Sequence, residues 1–325
     1  MKSSWKKYLV ALAALVGFAG GAAAQEYPNR PVKILVGYVP GGGPDLVARI
    51  LAQKLSQILG QQFLVENKPG ASGTVATTLV SRVAPDGYTL LLGETGQLVL
   101  APHILKSLPY DPVKDFTPIG MVGGGAGMGI VAGAKSSIKS LQDLMRESKA
   151  NPGKIYYGST GIGGIHHIAM ESFKAASGLD VTHVPYKGGG QSIQALVSGE
   201  VPIIMTGLST ALPYLRTGQA TLISVTSAAR LDPKPNVPVL TEMYKDMDAF
   251  DSDTGILGPA GLPPEVVSKL SKALKQATES PDFVASMKKV GQSIVYSTPE
   301  AYSDLIRRNL KRYERAVKIA NIEPE

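Results

Sequence analysis

Three glycine-rich turns carry the residues best suited to chemistry in this chain. The first, Val39-Pro40-Gly41-Gly42-Gly43-Pro44-Asp45, follows an apolar run from Val32. It leads into Leu46-Val47-Ala48-Arg49, the start of a helical pattern with Asp45 as its N-cap. Glycine lets the backbone approach a ligand closely, and a helix start offers unpaired N–H groups at a positive dipole end. Such a turn can cradle an anion, although on its own it also reads as an ordinary strand-to-helix turn. It is not a nucleotide P-loop, because no Lys-Ser/Thr follows the glycines, and its spacing is not the dinucleotide fingerprint. Gly158-Ser159-Thr160-Gly161-Ile162-Gly163-Gly164 and Pro185-Tyr186-Lys187-Gly188-Gly189-Gly190 are further polar glycine turns. Ser159 and Thr160 are short donors that can meet a ligand and can equally cap the following helix. Tyr38 can wall a pocket while offering its hydroxyl.

Catalytic and metal signatures are weak by comparison. The chain has four histidines (His103, His166, His167, His183) and no cysteine. Adjacent His166 and His167 on one helix point about 100° apart, a poor arrangement for one metal ion. His167 is better read as a packing or loop-fixing residue. Ser159 lacks a hydrolase nucleophile elbow, since Tyr157 stands where the first glycine belongs. The expectation is a binding protein with no catalytic residue, no metal and no cofactor. The strongest rival is an α/β enzyme, which would turn over a metabolite.

The elements that must position these turns alternate along the chain. Strands are expected at Val32–Tyr38, Phe63–Asn67, Thr89–Leu92, Lys154–Tyr157, Thr182–Val184, Val201–Met205 and Thr221–Thr226. Helices are expected at Asp45–Leu59, Gly73–Ala84, Ser140–Ala150, Ile165–Ser177 and from the third turn through Ser198. Alternation of this kind argues for parallel sheets flanked by helices. Glycine enrichment across Ile119–Ala134 suggests one strand crossing out of a first lobe, and Asp253–Leu257 a strand crossing back. Two amphipathic helices, Pro264–Thr278 and Thr298–Ile319, close the chain. The fold class is therefore α/β with two lobes, 25–124 plus 249–325 and 125–248, each a central sheet flanked by helices. Open α/β sheets bind ligands beyond the carboxyl ends of their strands, so the turns should face a shared cleft that closes by hinging.

The N-terminus sets the compartment. Lys2, Lys6 and Lys7 precede an apolar Tyr8–Phe18 core, and Ala22-Ala23-Ala24 is a small-residue cleavage site. Cleavage after Ala24 would release a periplasmic protein, and losing those three lysines takes the formal charge from +7 to +4. Such an excess favours anionic solutes. No basic run with interleaved aromatics suggests nucleic acid. Basic residues cluster only on the last helix, mixed with Asp304 and Glu314, as on a solvated face.

A set of short motifs runs in order along the chain. It begins with Tyr27-Pro28-Asn29-Arg30-Pro31-Val32, Pro40-Gly41-Gly42 with Asp45 and Ala48-Arg49, and Glu66-Asn67-Lys68-Pro69-Gly70-Ala71. It continues through Pro85-Asp86-Gly87-Tyr88-Thr89-Leu90, Asp115-Phe116-Thr117-Pro118-Ile119, and Tyr157-Gly158-Ser159 with Gly161 and His167. His183-Val184-Pro185-Tyr186-Lys187-Gly188, Pro259-Ala260-Gly261 and Ser297-Thr298-Pro299-Glu300 complete it. Taken together, these segments resemble the Bug or TctC family, the periplasmic substrate-binding proteins of tripartite tricarboxylate transporters. The resemblance implies a type II periplasmic binding protein, expected as a monomer, that hands a small organic acid to a two-subunit membrane permease. A receptor presenting its ligand to a membrane sensor kinase would have the same fold and pocket. Carried over by position, the ligand carboxylate would rest on Val39 to Asp45 (Val39, Gly41, Gly42, Asp45), Ser159 to Gly164 (Ser159, Thr160, Gly163) and Tyr186 to Gly188.

Several residues depart from the family pattern. Glu94, before Thr95-Gly96-Gln97, replaces a small hydroxyl residue. Ala195 and Thr206 stand where aspartate is common, Asp253 where an aromatic is frequent, and His166 precedes the common His167. Glu94, Gln97, His166, Thr206 and Asp253 are thus candidate pocket residues beside Tyr38. A carboxylate close to a ligand's own charge repels it by about 4 kcal/mol at 4 Å and an effective dielectric of about 20. Glu94 with Asp253 would then favour a ligand with a cationic or hydroxyl-rich portion, such as an amino acid or hydroxy acid.

Overall fold

The first lobe is built on a strand that is apolar almost throughout. Val32–Val36 (β1) buries four of its five side chains, as expected of a strand covered on both faces. It pairs in parallel with Phe63–Asn67 (β2) and Thr89–Glu94 (β3). The computed structural model describes residues 26–124, 127–226, 236–248 and 250–324. The leader at 1–24 and its cleavage point lie outside the described residues.

Two five-stranded sheets share one plan. In the first the order is β2-β1-β3-β10-β4, where β4 is Phe116–Gly123 and β10 is Thr254–Pro259. β10 runs antiparallel to both neighbours. In the second the order is β7-β6-β8-β5-β9, with β5 at Met128–Gly133, β6 at Tyr156–Ser159, β7 at Thr182–Pro185, β8 at Ile203–Gly207 and β9 at Ala220–Val225. Here β5 is the antiparallel member. The crossing strand expected over Ile119–Ala134 is therefore two strands, one in each sheet, the first ending at Gly123 and the second beginning at Met128.

Helices fill both faces. They are α1 (Gly43–Leu59), α2 (Thr74–Val80), α3 (Ala101–Ile104), α4 (Leu141–Ala150), α5 (Ile165–Ser177), α6 (Gly189–Ser198), α7 (Leu208–Arg216), α8 (Leu240–Met243), α9 (Pro264–Glu279), α10 (Pro281–Lys289) and α11 (Pro299–Ile319). α3, α7, α8 and α10 have no counterpart among the expected helices: α3 and α8 are single turns, α7 carries an internal Pro213, and α10 begins two residues after α9 ends. Among the described residues, no helix is long and apolar enough to cross a membrane.

One apolar cluster runs from the first sheet (Leu35, Leu91) through α11 (Tyr302, Ile306, Tyr313) to the second sheet (Ile130, Tyr157) and its helix α5 (Phe173). Separate clusters cover the outer faces, with Leu51, Leu55 and Leu270 on one side and Ile193, Leu196 and Ile204 on the other. α11 thus braces the first sheet while resting on α5 of the second lobe. The close approach of α11 to β10 depends on Gly255, where a Cβ would lie 2.5 Å from the Tyr302 ring. Tyr302 is 2% exposed and cannot swing away. Gly255→Ala should destabilise the protein by about 3 kcal/mol through overpacking, measured by urea unfolding. A loss under about 1 kcal/mol would show that α11 can shift.

Candidate functional site

Between the sheets, at the carboxyl ends of their parallel strands, lies a cavity of about 370 Å³. Four helices begin on its wall. They contribute Gly43 and Pro44 of α1, Gly164 and Ile165 at the start of α5, Gly188 and Gly189 at α6, and Gly207 to Thr210 at α7. All four N-caps are glycines (Gly42, Gly164, Gly188, Gly207), and no side chain caps any of them. Each start therefore presents main-chain donors and a partial charge of about +0.5 to the cavity. Among the described residues no lysine or arginine lines it. The site can hold a small anion with backbone dipoles alone.

Buried bonds hold the turns in place. The Asp45 carboxylate is 2% exposed and accepts from the Gly41 N–H at 2.8 Å, Arg49 Nε at 2.9 Å and Asn67 Nδ2 at 2.8 Å. Burial pushes its acidity down, but the Arg49, Gly41 and Asn67 bonds outweigh it and hold the pKa below the usual value. Ser159 Oγ accepts from the Gly161 N–H at 3.1 Å and lies 2.7 Å from His183 Nε2, whose ring stacks on His167. The Gly163 N–H donates to His167 Nδ1 at 3.2 Å, so His167 does fix this loop.

Of the expected site residues, Tyr38, Glu94, Thr160, Gly163, His166 and Gly188 line the cavity. Others are placed elsewhere, and each placement has a reason. Asp45 sits in the first turn rather than at the N-cap, which is Gly42, and its carboxylate organises the loop. Ser159 is fully buried as the brace of its own turn. Tyr186 donates to Glu200 Oε1 at 2.7 Å, with its ring over Gly158. Gln97 turns inward from the wide turn Gly96–Leu100 and donates to the Leu92 carbonyl at 3.0 Å. Thr206 is fully buried within β8, paired with Gly129. Val39, Gly41 and Gly42 flank the cavity wall without lining it, Val39 being 61% exposed.

Asp253 is corrected by strand alternation. Ser252 and Thr254 point toward Glu94, so Asp253 faces the other way. It accepts from Asn309 Nδ2 at 3.0 Å and packs beside Tyr302. Ser72, Ser209, Thr210, Ser252 and Gln292 line the cavity without having been anticipated. The Thr206-Gly207-Leu208-Ser209-Thr210 strand-to-helix turn was the available signal for two of them.

Two ionisable groups stand out on the wall. Glu94 is 6% exposed, and its oxygens accept from Thr254 Oγ1 at 2.8 Å and Ser252 Oγ at 3.2 Å. Burial pushes its pKa up to about 7, against the pull of those hydroxyls and with a further push from Asp253. His166 Nδ1 pairs with Thr160 Oγ1 at 2.8 Å, and burial lowers its pKa to about 4, so it is neutral at pH 7. Among the described residues no cluster of three histidine or carboxylate side chains could hold a metal ion.

This geometry coincides with a known lineage. The family model described as the tripartite tricarboxylate transporter family receptor matches residues 47–322. The chain belongs to that family. A UPF0065 protein in the gbd 5'region of Cupriavidus necator is 35% identical over 303 residues, covering 93% of this chain and 91% of the relative. The structure of Rhodopseudomonas palustris Rpa4515 with adipate matches with a TM-score of 0.83 and 28% identity, covering 92% of this chain and all of that one. MatC from the same organism, with bound malate, matches at 0.78 and 28% identity, over 90% of this chain and 100% of that one. The fold is thus that of a two-lobed periplasmic binding protein of the receptor family.

The buried Glu94 makes a pH prediction. Its raised folded-state pKa means the folded protein keeps a proton that the unfolded chain has released. That contribution is complete below about pH 4.5 and is lost as pH rises through about 7. Glu94→Gln should remove it. The stability difference between variant and parent should therefore grow by about 3 kcal/mol in the variant's favour from pH 4.5 to 7.5, measured by urea unfolding. A difference independent of pH would show Glu94 to be solvated.

Proposed function

We propose that the mature chain is a periplasmic solute-binding protein that captures one small organic anion in the interlobe cavity. The observation that carries this reading is the convergence of four glycine-capped helix starts on a cavity without a lysine or arginine lining it among the described residues. Adipate and malate accompany structures of two similar proteins, and a carboxylate is the group such a cradle suits best. Gly43 and Pro44 from the first lobe, Thr160 to His166, Gly188 and Ser209 from the second, and Tyr38 as a wall would surround the guest. We further propose that cleavage after Ala24 releases a monomer with lobes 25–124 plus 249–325 and 125–248. In this reading the loaded, closed form hands its solute to a two-subunit membrane permease, and the chain catalyses nothing. Closure is a population shift limited by the ligand's differential affinity for the closed state.

A screen of carboxylates by thermal unfolding tests the reading. A ligand at a hundred times its Kd should add about 2.7 kcal/mol of stability, and small-angle scattering should register a smaller radius of gyration. Stabilisation by sugars or cations with no response to any carboxylate would refute it. Gly188 has φ of +96°, with nothing within 4 Å of an added Cβ. Gly188→Ala should cost about 1 kcal/mol in stability and about tenfold in ligand affinity by tilting the start of α6. Unchanged affinity in calorimetry would remove α6 from the cradle.

A further inference from the structure

Glu94 is the only acidic side chain among the described residues that line the cavity, and it faces no lining lysine or arginine. Its two oxygens each receive one hydroxyl bond, from Thr254 and Ser252. An ionised carboxylate accepts about four hydrogen bonds, so each oxygen retains acceptor capacity toward the cavity. Tyr38 on the same wall, whose acidity is weakened by burial first and by Glu94 next, donates instead to the Ser72 carbonyl at 3.4 Å. Asp253 and Tyr302 lie behind Glu94, on the α11 side, and bring no positive charge to it. A buried carboxylate that is only partly satisfied is costly, and the guest is the group placed to complete it.

Three kinds of guest group can meet Glu94. A second carboxylate is repelled, or must drive a proton onto Glu94. A hydroxyl fills one acceptor position and leaves the charge uncompensated. An ammonium fills several positions and supplies the missing opposite charge. Building on the reading of the cavity as a carboxylate site, we propose that Glu94 is a specificity-determining residue that selects an organic acid also carrying an ammonium group, and disfavours plain dicarboxylates. The helix starts hold the acid's negative end and Glu94 holds its positive group.

Titration calorimetry on the mature protein at about pH 8, with ligands matched in chain length, tests the proposal. Four- and six-carbon monocarboxylates would be compared with their 2-amino, ω-amino, ω-hydroxy and dicarboxylate counterparts. At least one amino acid should bind about tenfold or more tighter than its plain, hydroxy and dicarboxylate partners. In Glu94→Gln that preference should fall below about threefold, while the dicarboxylate gains. Equal or tighter binding of the dicarboxylate or hydroxy acid to the parent protein would overturn the proposal. So would an amino-acid preference that survives unchanged in the variant. Should Glu94→Gln fail to fold, the ranking on the parent protein still decides. If no carboxylate in the series binds, the carboxylate reading beneath the proposal falls with it, whereas carboxylate binding without amino preference removes only the role of Glu94.

Discussion

Backbone dipoles aimed into a cavity with no cationic side chain on its described wall are the constraint on which this structure turns. A helix start has donors that its own chain cannot satisfy. Serine, threonine or aspartate would ordinarily take one of them, as Ser140 does for α4 and Thr298 for α11. At the four cavity-facing starts the cap is glycine, and nothing on the side-chain level competes for the N–H groups. The four starts on the cavity wall thus differ from those of α4 and α11, whose first donors are already taken by a side chain.

Keeping uncapped starts rigid requires support from behind. Asp45 ties Gly41 to Arg49 and Asn67, so a buried charge shapes the first turn without entering the cavity. In the second lobe, the Ser159–His183 contact, the stacked His167 and His183 rings and the Gly163–His167 bond do the same with neutral groups. Burial lowers the pKa of His183 to about 4, with His167 adding to the effect, so this support carries no positive charge at neutral pH. Both braces leave the electrostatics of the cavity to the helix starts and to Glu94.

The two sheets repeat one strand order, each with a single antiparallel strand inserted beside the third parallel strand. In each sheet that strand comes from the chain crossing between lobes. The crossing strands thereby enter the core of the sheets they join, instead of linking them at an edge. α11 adds a third connection, packed on the first sheet and against α5.

Much of this was legible in the residue order, because it rests on local rules. Apolar runs such as Val32–Val36 and Leu90 to Leu92 mark strands, glycine turns mark their ends, and the joint motifs mark the family. The turns that begin α1, α5 and α6 were visible for the same reason. The side chains facing the cavity were not, since facing is a property of packing. Asp253 and Glu94 looked alike as acidic departures near a cleft, yet strand alternation beside Ser252 and Thr254 sends one toward α11 and leaves the other on the wall. Gln97 and Tyr186 likewise turned away to satisfy Leu92 and Glu200. Ser209, Thr210 and Gln292 came to the cavity from chain segments distant in sequence from the first turn. The residue order by itself determined two α/β lobes with backbone cradles, because backbone conformation follows from glycine placement and hydrophobic period. Only the tertiary structure decided which charges line the cavity, because a side chain's direction depends on which neighbour satisfies it once water is excluded.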